Sequence, residues 1–267
     1  MLDEDTRRSP RGGCRAGVSA GVIVRRPWFG GSAITRMPHQ QLIDGLSIKR
    51  EAVGMSAMPL TKRDRTRAAL LLALQELLLD PAVVTVSVPQ IVARAGAAQG
   101  TFYNYFDSLS KAIDAVGVLL LIEHARVLEG VTAGSADAAE LVARTTRQTL
   151  LLMANRPDVG RLLFDSGIAA DRFVDAVRGH LRQDLRRGVD TGIFVAADFE
   201  VSCSLFVGSM LGAALDFYRG RLSRQEIPEV IALLLRGLGV AEDRAAVLAA
   251  ARQRFAPWRP LPLSPLD

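Results

Sequence analysis

Between Ala98 and Phe106 the chain sets the short polar side chains of Gln99, Thr101 and Asn104 around Gly100 and among four aromatic rings, Phe102, Tyr103, Tyr105 and Phe106. These residue types suit recognition of nucleic acid rather than bond-making. An Asn or Gln amide reads adenine at N6 and N7 through paired hydrogen bonds, each good pair contributing roughly 1 to 3 kcal/mol of discrimination. Gln99 and Asn104 are therefore the expected base contacts. Thr101 and the hydroxyls of Tyr103 and Tyr105 are suited to phosphate, and Gly100 permits a helix to approach a backbone closely. The chain is only 6% aromatic, so four rings in five positions are a concentration that calls for a cause. They cannot all face inward on one helix. Phe102 and Phe106, four apart, share a face and are expected to anchor a small core against Ile91 and Leu74, while Tyr103 points away. The alternative is that all four rings are core.

Chemistry of other kinds finds no support. No paired carboxylates, nucleophile elbow or phosphate loop occur, so an enzyme built on a buried acid or on His124 is the weaker rival. His39, His124 and His180 are isolated from one another, and Cys14 and Cys203 have no C-x-x-C spacing, so neither a metal nor a cofactor is expected. Two lone cysteines suit a reducing cytoplasm.

The elements that position the polar cluster follow from periodicity, and the fold class expected is all-α. Lys62 to about Asp80 opens basic (Lys62, Arg63, Arg65, Arg67), carries Leu70, Leu74, Leu77 and Leu78 at helical spacing, and stops at Pro81. A short helix from Val88 to Ala95 has Ser87 as N-cap and Pro89 in its first turn, and ends at Gly96. A longer helix, two short ones and the tight turn Ala95-Gly96-Ala97 make a helix-turn-helix, whose second short helix enters a major groove while the first braces it.

The string "IVARAGAAQGTFYNYFDSLSKAI" resembles the DNA-binding segment of TetR-type (tetracycline-repressor-like) regulators. It follows their pattern Ile-Ala-x-x-Ala-Gly-Val-Ser-x-Gly-Thr-Phe-Tyr-x-Tyr-Phe-x-Ser-Lys at Ile91, Ala95, Gly96, Gly100, Thr101, Phe102, Tyr103, Tyr105, Phe106 and Ser108. The resemblance covers about Arg63 to Ala115, and "LLLRGLG" at Leu233 to Gly239 is similar to a late helix of the same family. Two departures have physical consequences. Ala98 replaces the usual serine at the start of the recognition helix, removing a side-chain cap worth roughly 1 kcal/mol. Leu109 replaces a lysine, with Lys111 two positions later, so a phosphate contact at Lys111 requires a reshaped turn. Arg63, Arg65 and Ser87 complete the expected DNA-contacting set.

After this segment a helix capped by Asp107 or Ser108 runs to about Gly130, another runs from Asp137 to before Pro157, and a short one runs from Pro157 to near Gly167. Further helices are expected from Asp171, with Arg178, Arg182 and Arg186 on a solvated face, from Asp198 to Tyr218, after the Ser223-x-x-Glu226 capping box, where Pro228 leaves the start uncertain, and from Glu242 to Phe255. The resemblance implies that these form a domain that dimerises and holds a small ligand. Ser204, Gly208 and Gly212 repeat every four residues, a spacing that lets two helices approach closely; a subunit interface is expected, ordinary packing within one chain being the alternative. Candidate ligand-lining residues are Leu120, His124, Met153, Phe164, Phe173 and Val177, and a pocket of that kind suits a hydrophobic effector.

Four segments result. Residues 1–57 are a disordered arm, or precede a true start at Met37, Met55 or Met58; 58–107 form the DNA-binding domain; 108–256 form the effector-binding and dimerisation domain; 257–267 are a proline-rich tail. Acidic Asp3, Glu4 and Asp5 and the Gly-broken "AGVSAGVIV" argue against a signal peptide. The longest apolar run, Val201 to Leu215, falls short of the roughly 20 residues a bilayer needs. A net charge of +5 and a pI near 9.7 favour a polyanionic partner. The expected protein is a cytoplasmic, homodimeric, ligand-responsive repressor of transcription on a palindromic operator; a helical adaptor without DNA binding is the alternative.

Overall fold

A computed structural model of the chain describes residues 61–168 and 170–265. The N-terminal arm, its alternative start sites, Cys14 and His39 lie outside the described residues. The described residues all fall in one compact unit. It is all-α, with no strand among the described residues.

Among the described residues ten α-helices succeed one another: α1 Lys62–Leu79, α2 Val88–Arg94, α3 Gln99–Tyr103, α4 Leu109–Thr132, α5 Ala138–Asn155, α6 Pro157–Phe164, α7 Ala170–Asp190, α8 Phe199–Tyr218, α9 Ile227–Gly237 and α10 Glu242–Ala250. A 3-10 turn, Arg224–Glu226, precedes α9, and Pro228 sits in the first turn of that helix, where its missing N–H leaves no orphan. Short polar residues begin most of the long helices. Thr61 and Asp64 exchange a capping box at α1, Ser108 Oγ accepts from Lys111 N–H at α4, Asp137 accepts from two amides at α5, and Asp198 accepts from Val201 N–H at α8.

Helix α5 is the axis of the larger part, packing against α4, α6, α7, α8, α9 and α10. Its consecutive Leu150, Leu151, Leu152 and Met153 are all buried, as a helix enclosed on every side requires. Close contact between α6 and α8 depends on Gly160, where a Cβ would lie 2.2 Å from the Tyr218 ring. The α1 helix packs on α2, α4 and α6.

The end of the chain departs from expectation. Helix α10 stops at Ala250 rather than Phe255, and the proline-rich segment after it is an extended strap bound to the core. Trp258 and Leu263 are buried. The amide of Gln148 on α5 pairs with the Ala256 backbone at 2.6 and 3.1 Å. The amide of Gln75 on α1 pairs with the Leu263 backbone, both bonds at 2.8 Å. Prolines explain the form: they prevent helix and leave backbone groups that only side chains can satisfy. The fully buried glutamines supply those partners.

By length and composition alone α8, at 20 residues, is long and apolar enough to cross a membrane, a test that a core helix of a soluble protein also passes, and a third of its most apolar stretch is buried against its neighbours.

Candidate functional site

Two features combine polar or reactive groups with accessible space. The first is the α2–α3 unit. Gly96, at φ +64°, reverses the chain between the two helices in a conformation glycine adopts without strain, and Ala97 N–H bonds back to Val92 C=O at 2.8 Å. Phe102 is fully buried and Phe106 nearly so, their ring centroids 5.5 Å apart, in the same core cluster as Ile91 and Leu74. Arg67 of α1 lies over the Phe106 ring, 5.3 Å from its centroid.

Anchored in this way, α3 turns its other face outward. Tyr103 is 56% exposed, edge-on to Phe102 at 5.4 Å. Gln99, Gly100 and Asn104 are exposed and Thr101 is half-buried. Among the described residues no atom lies within 4 Å of where a Cβ on Gly100 would stand, so none of them requires a glycine there. Arg63 and Arg65 are exposed on the first turns of α1, and Lys111 is exposed on the first turn of α4, where Leu109 packs toward the core.

Three details differ from expectation. The aromatic cluster outruns α3, which ends at Tyr103; a single bond from Phe106 N–H to Phe102 C=O at 3.0 Å keeps Phe106 on the buried side. Tyr105 is half-buried and packs on the core, so it is less available than Tyr103. The Ser87 hydroxyl donates to Gln90 Oε1 at 2.7 Å, and its N–H to the same oxygen at 2.9 Å, so this side chain serves its own helix. Ala98 is the N-cap of α3 with no side-chain bond to offer.

The second feature is a cavity of about 250 Å³ among α4, α5, α7, α8 and the strap. Leu120 and His124 of α4, Met153 of α5 and Val177 of α7 line it together, joined by Leu152, Leu181, Met210 and Trp258. Phe164 is elsewhere, stacked on Tyr218 at 5.8 Å, because α6 turns that face to α8. Phe173 and His180 fall on α7, but their side chains lie outside those described. The wall is mostly apolar. Its polar groups include Thr145, Thr149, Glu129 and Asp184, and neither Lys nor Arg is among the lining residues. Thr149 donates its hydroxyl to Thr145 C=O at 2.9 Å, leaving its oxygen to accept from His124 Nε2–H at 3.0 Å.

Trp258 escapes a search for helical periodicity, since it sits in a segment of proline and leucine. Its ring lies 5.7 Å from that of His124. Beside it, the fully buried Glu123 accepts from Arg126 at 2.9 and 2.6 Å, and from Arg259 N–H and Nε–H at 2.8 and 2.9 Å. Burial alone would raise this carboxyl, but those four bonds hold it down at about 2. Among the described residues no cluster of His, Cys, Asp or Glu has the form of a metal site.

On α8, Ser204, Gly208 and Gly212 are all exposed, and among the described residues nothing lies within 4 Å of a Cβ built on either glycine. Among the described residues nothing packs on the small-residue row. Around it stand Val201 and Leu205 at 53% and 66% exposure, with Leu233 of α9 also exposed. On α7, Arg182 pairs with Glu200 at 2.6 Å and Arg186 stacks over Phe199, 3.6 Å from its centroid, so that basic row is partly engaged rather than simply solvated.

These features can be set beside known proteins. Residues 137–252 match the tetracyclin repressor-like C-terminal domain. A stretch of 89 residues is 33% identical to the HTH-type transcriptional regulator YvdT of Bacillus subtilis (strain 168), covering 33% of this chain and 45% of that protein; the chain thus spans under half of that relative's length. The crystal structure of RolR with resorcinol superposes with a TM-score of 0.61 at 25% identity, covering 72% of this chain and 97% of that one. NalD, the secondary repressor of the MexAB-OprM multidrug efflux pump in Pseudomonas aeruginosa, shares the fold with a TM-score of 0.51 at 20% identity, covering 67% of this chain and 98% of that one. With a helix-turn-helix at one end and a match to the tetracyclin repressor-like C-terminal domain at the other, the chain is similar to TetR-type transcriptional regulators in both parts.

Proposed function

We propose that the protein is a ligand-responsive repressor that binds a palindromic operator as a homodimer in the cytoplasm and leaves it when a small, largely apolar effector fills the cavity. One observation carries the reading: the same compact unit holds an anchored helix whose outer face is polar and unused, and an apolar cavity. Gln99 and Asn104 would read bases, while Gly100, Thr101, Tyr103, Arg63, Arg65 and Lys111 would meet the backbone. The small-residue face of α8 would join two chains, setting their α3 helices roughly 34 to 36 Å apart, one turn of DNA. A cavity of about 250 Å³ suits a ligand of single-ring size, and the similar RolR structure holds resorcinol. Binding would release DNA by favouring the conformation in which the two recognition helices no longer fit their half-sites.

Affinity for DNA upstream of the protein's own gene, measured across salt, tests this. Phosphate contacts from two subunits require a steep negative slope of log affinity against log salt. A flat slope, or no binding, favours the adaptor reading instead.

A further inference from the structure

Trp258 is 5% exposed and lines the cavity, and its indole Nε1 is buried with no hydrogen-bond acceptor among the described residues. An indole nitrogen is a donor only, and a buried donor left unmatched carries a desolvation penalty that native structures rarely accept. Its position is also firmly set. Two residues before it, Ala256 is clamped by Gln148; one residue after it, Arg259 is clamped by Glu123. Rigid support on both sides is what a recognition group needs, because no freedom is lost when it engages.

We propose that Trp258 is a ligand-reading residue, whose indole N–H donates to an oxygen acceptor on an uncharged ring compound held in the cavity. The inference rests on the reading of the cavity as an effector site. Chemistry of the wall narrows the ligand class. An anionic ligand would be buried without a cation, since no Lys or Arg lines the cavity and Glu129 and Asp184 do. A pure hydrocarbon would fill the volume but leave the N–H unmatched. A ring bearing a hydroxyl or carbonyl oxygen meets both conditions.

Phenol and toluene, matched in shape but differing in the oxygen, are the probes. Calorimetry on the full chain and on Trp258→Phe is expected to show the ratio of phenol to toluene affinity falling about fivefold in the variant, the worth of one net hydrogen bond. Because the variant also loses ring area, NMR of the indole N–H groups is run in parallel on the unmodified chain. Trp28 and Trp258 are the two tryptophans of the chain, so the signal that survives Trp28→Phe belongs to Trp258, and it is expected to move further downfield with phenol than with saturating toluene. An unchanged ratio, or equal displacement by both probes, overturns the assignment of Trp258 while leaving the cavity reading intact. Failure of both probes to bind the unmodified chain overturns the single-ring cavity reading, and the assignment falls with it.

Discussion

Asn104 and Tyr103 are neighbours with different expected duties, and their positions let the difference be measured. Asn104 is exposed at the C-cap of α3, where an amide can read a base edge, whereas the Tyr103 hydroxyl is carried on a ring braced edge-on by Phe102. Tyr103→Phe is expected to weaken all DNA sequences about equally. Asn104→Ala should flatten the preference among operator variants, by roughly 1 to 3 kcal/mol at one position, in a competition binding assay. Glu123 offers a residue-scale test of stability. Its carboxyl titrates at 4.5 when unperturbed and at about 2 in the folded chain, so the stabilisation is fully present above about pH 4.5 and is lost as pH falls from there through 2. Glu123→Gln should cost about 1 to 3 kcal/mol at pH 7, with the gap to the unmodified chain narrowing at pH 3; urea unfolding at the two pH values checks this. The base-reading candidates were visible from residue type and spacing alone. Glu123 was not, because its partner Arg259 is 136 positions away and no local pattern links them.

At the scale of elements, helix starts were legible wherever a capping residue or proline marks them, since capping is a local interaction between neighbours in the chain. Ala98 is the exception. It occupies the N-cap of α3 at φ −77° and ψ 151°, a backbone that a serine adopts readily. Ala98→Ser should therefore raise stability by about 1 kcal/mol, seen as a higher urea midpoint with an unchanged slope; a lower midpoint would mean that α3 begins differently. The end of α10 and the strap after it were not legible. Proline and leucine in "PWRPLPLSPLD" specify an absence of helix, but whether such a segment docks depends on buried partners contributed by α1, α4 and α5.

At the scale of the whole molecule, the proposal that the open face of α8 joins two chains, so that two recognition helices act together, can be tested by one substitution. Gly208→Arg introduces bulk and charge at a position whose Cβ direction is empty, so the subunit should fold normally. Sedimentation is expected to show a monomer, with operator affinity reduced more than tenfold because half of the contacts are lost; a persistent dimer would place the interface elsewhere. By itself the sequence determined the all-helical class, the order of the helices, the helix-turn-helix with its inward phenylalanines and outward polar residues, and the resemblance to TetR-type regulators. Each of these is written in local periodicity, caps and turn residues. Only the tertiary structure decided that Leu120, His124, Met153 and Val177 meet around one cavity while Phe164 does not, that the small residues of α8 stay uncovered, and that Trp258 closes the cavity wall. Those outcomes depend on which helix faces meet, and that is settled by packing and buried hydrogen bonds between residues far apart in the chain.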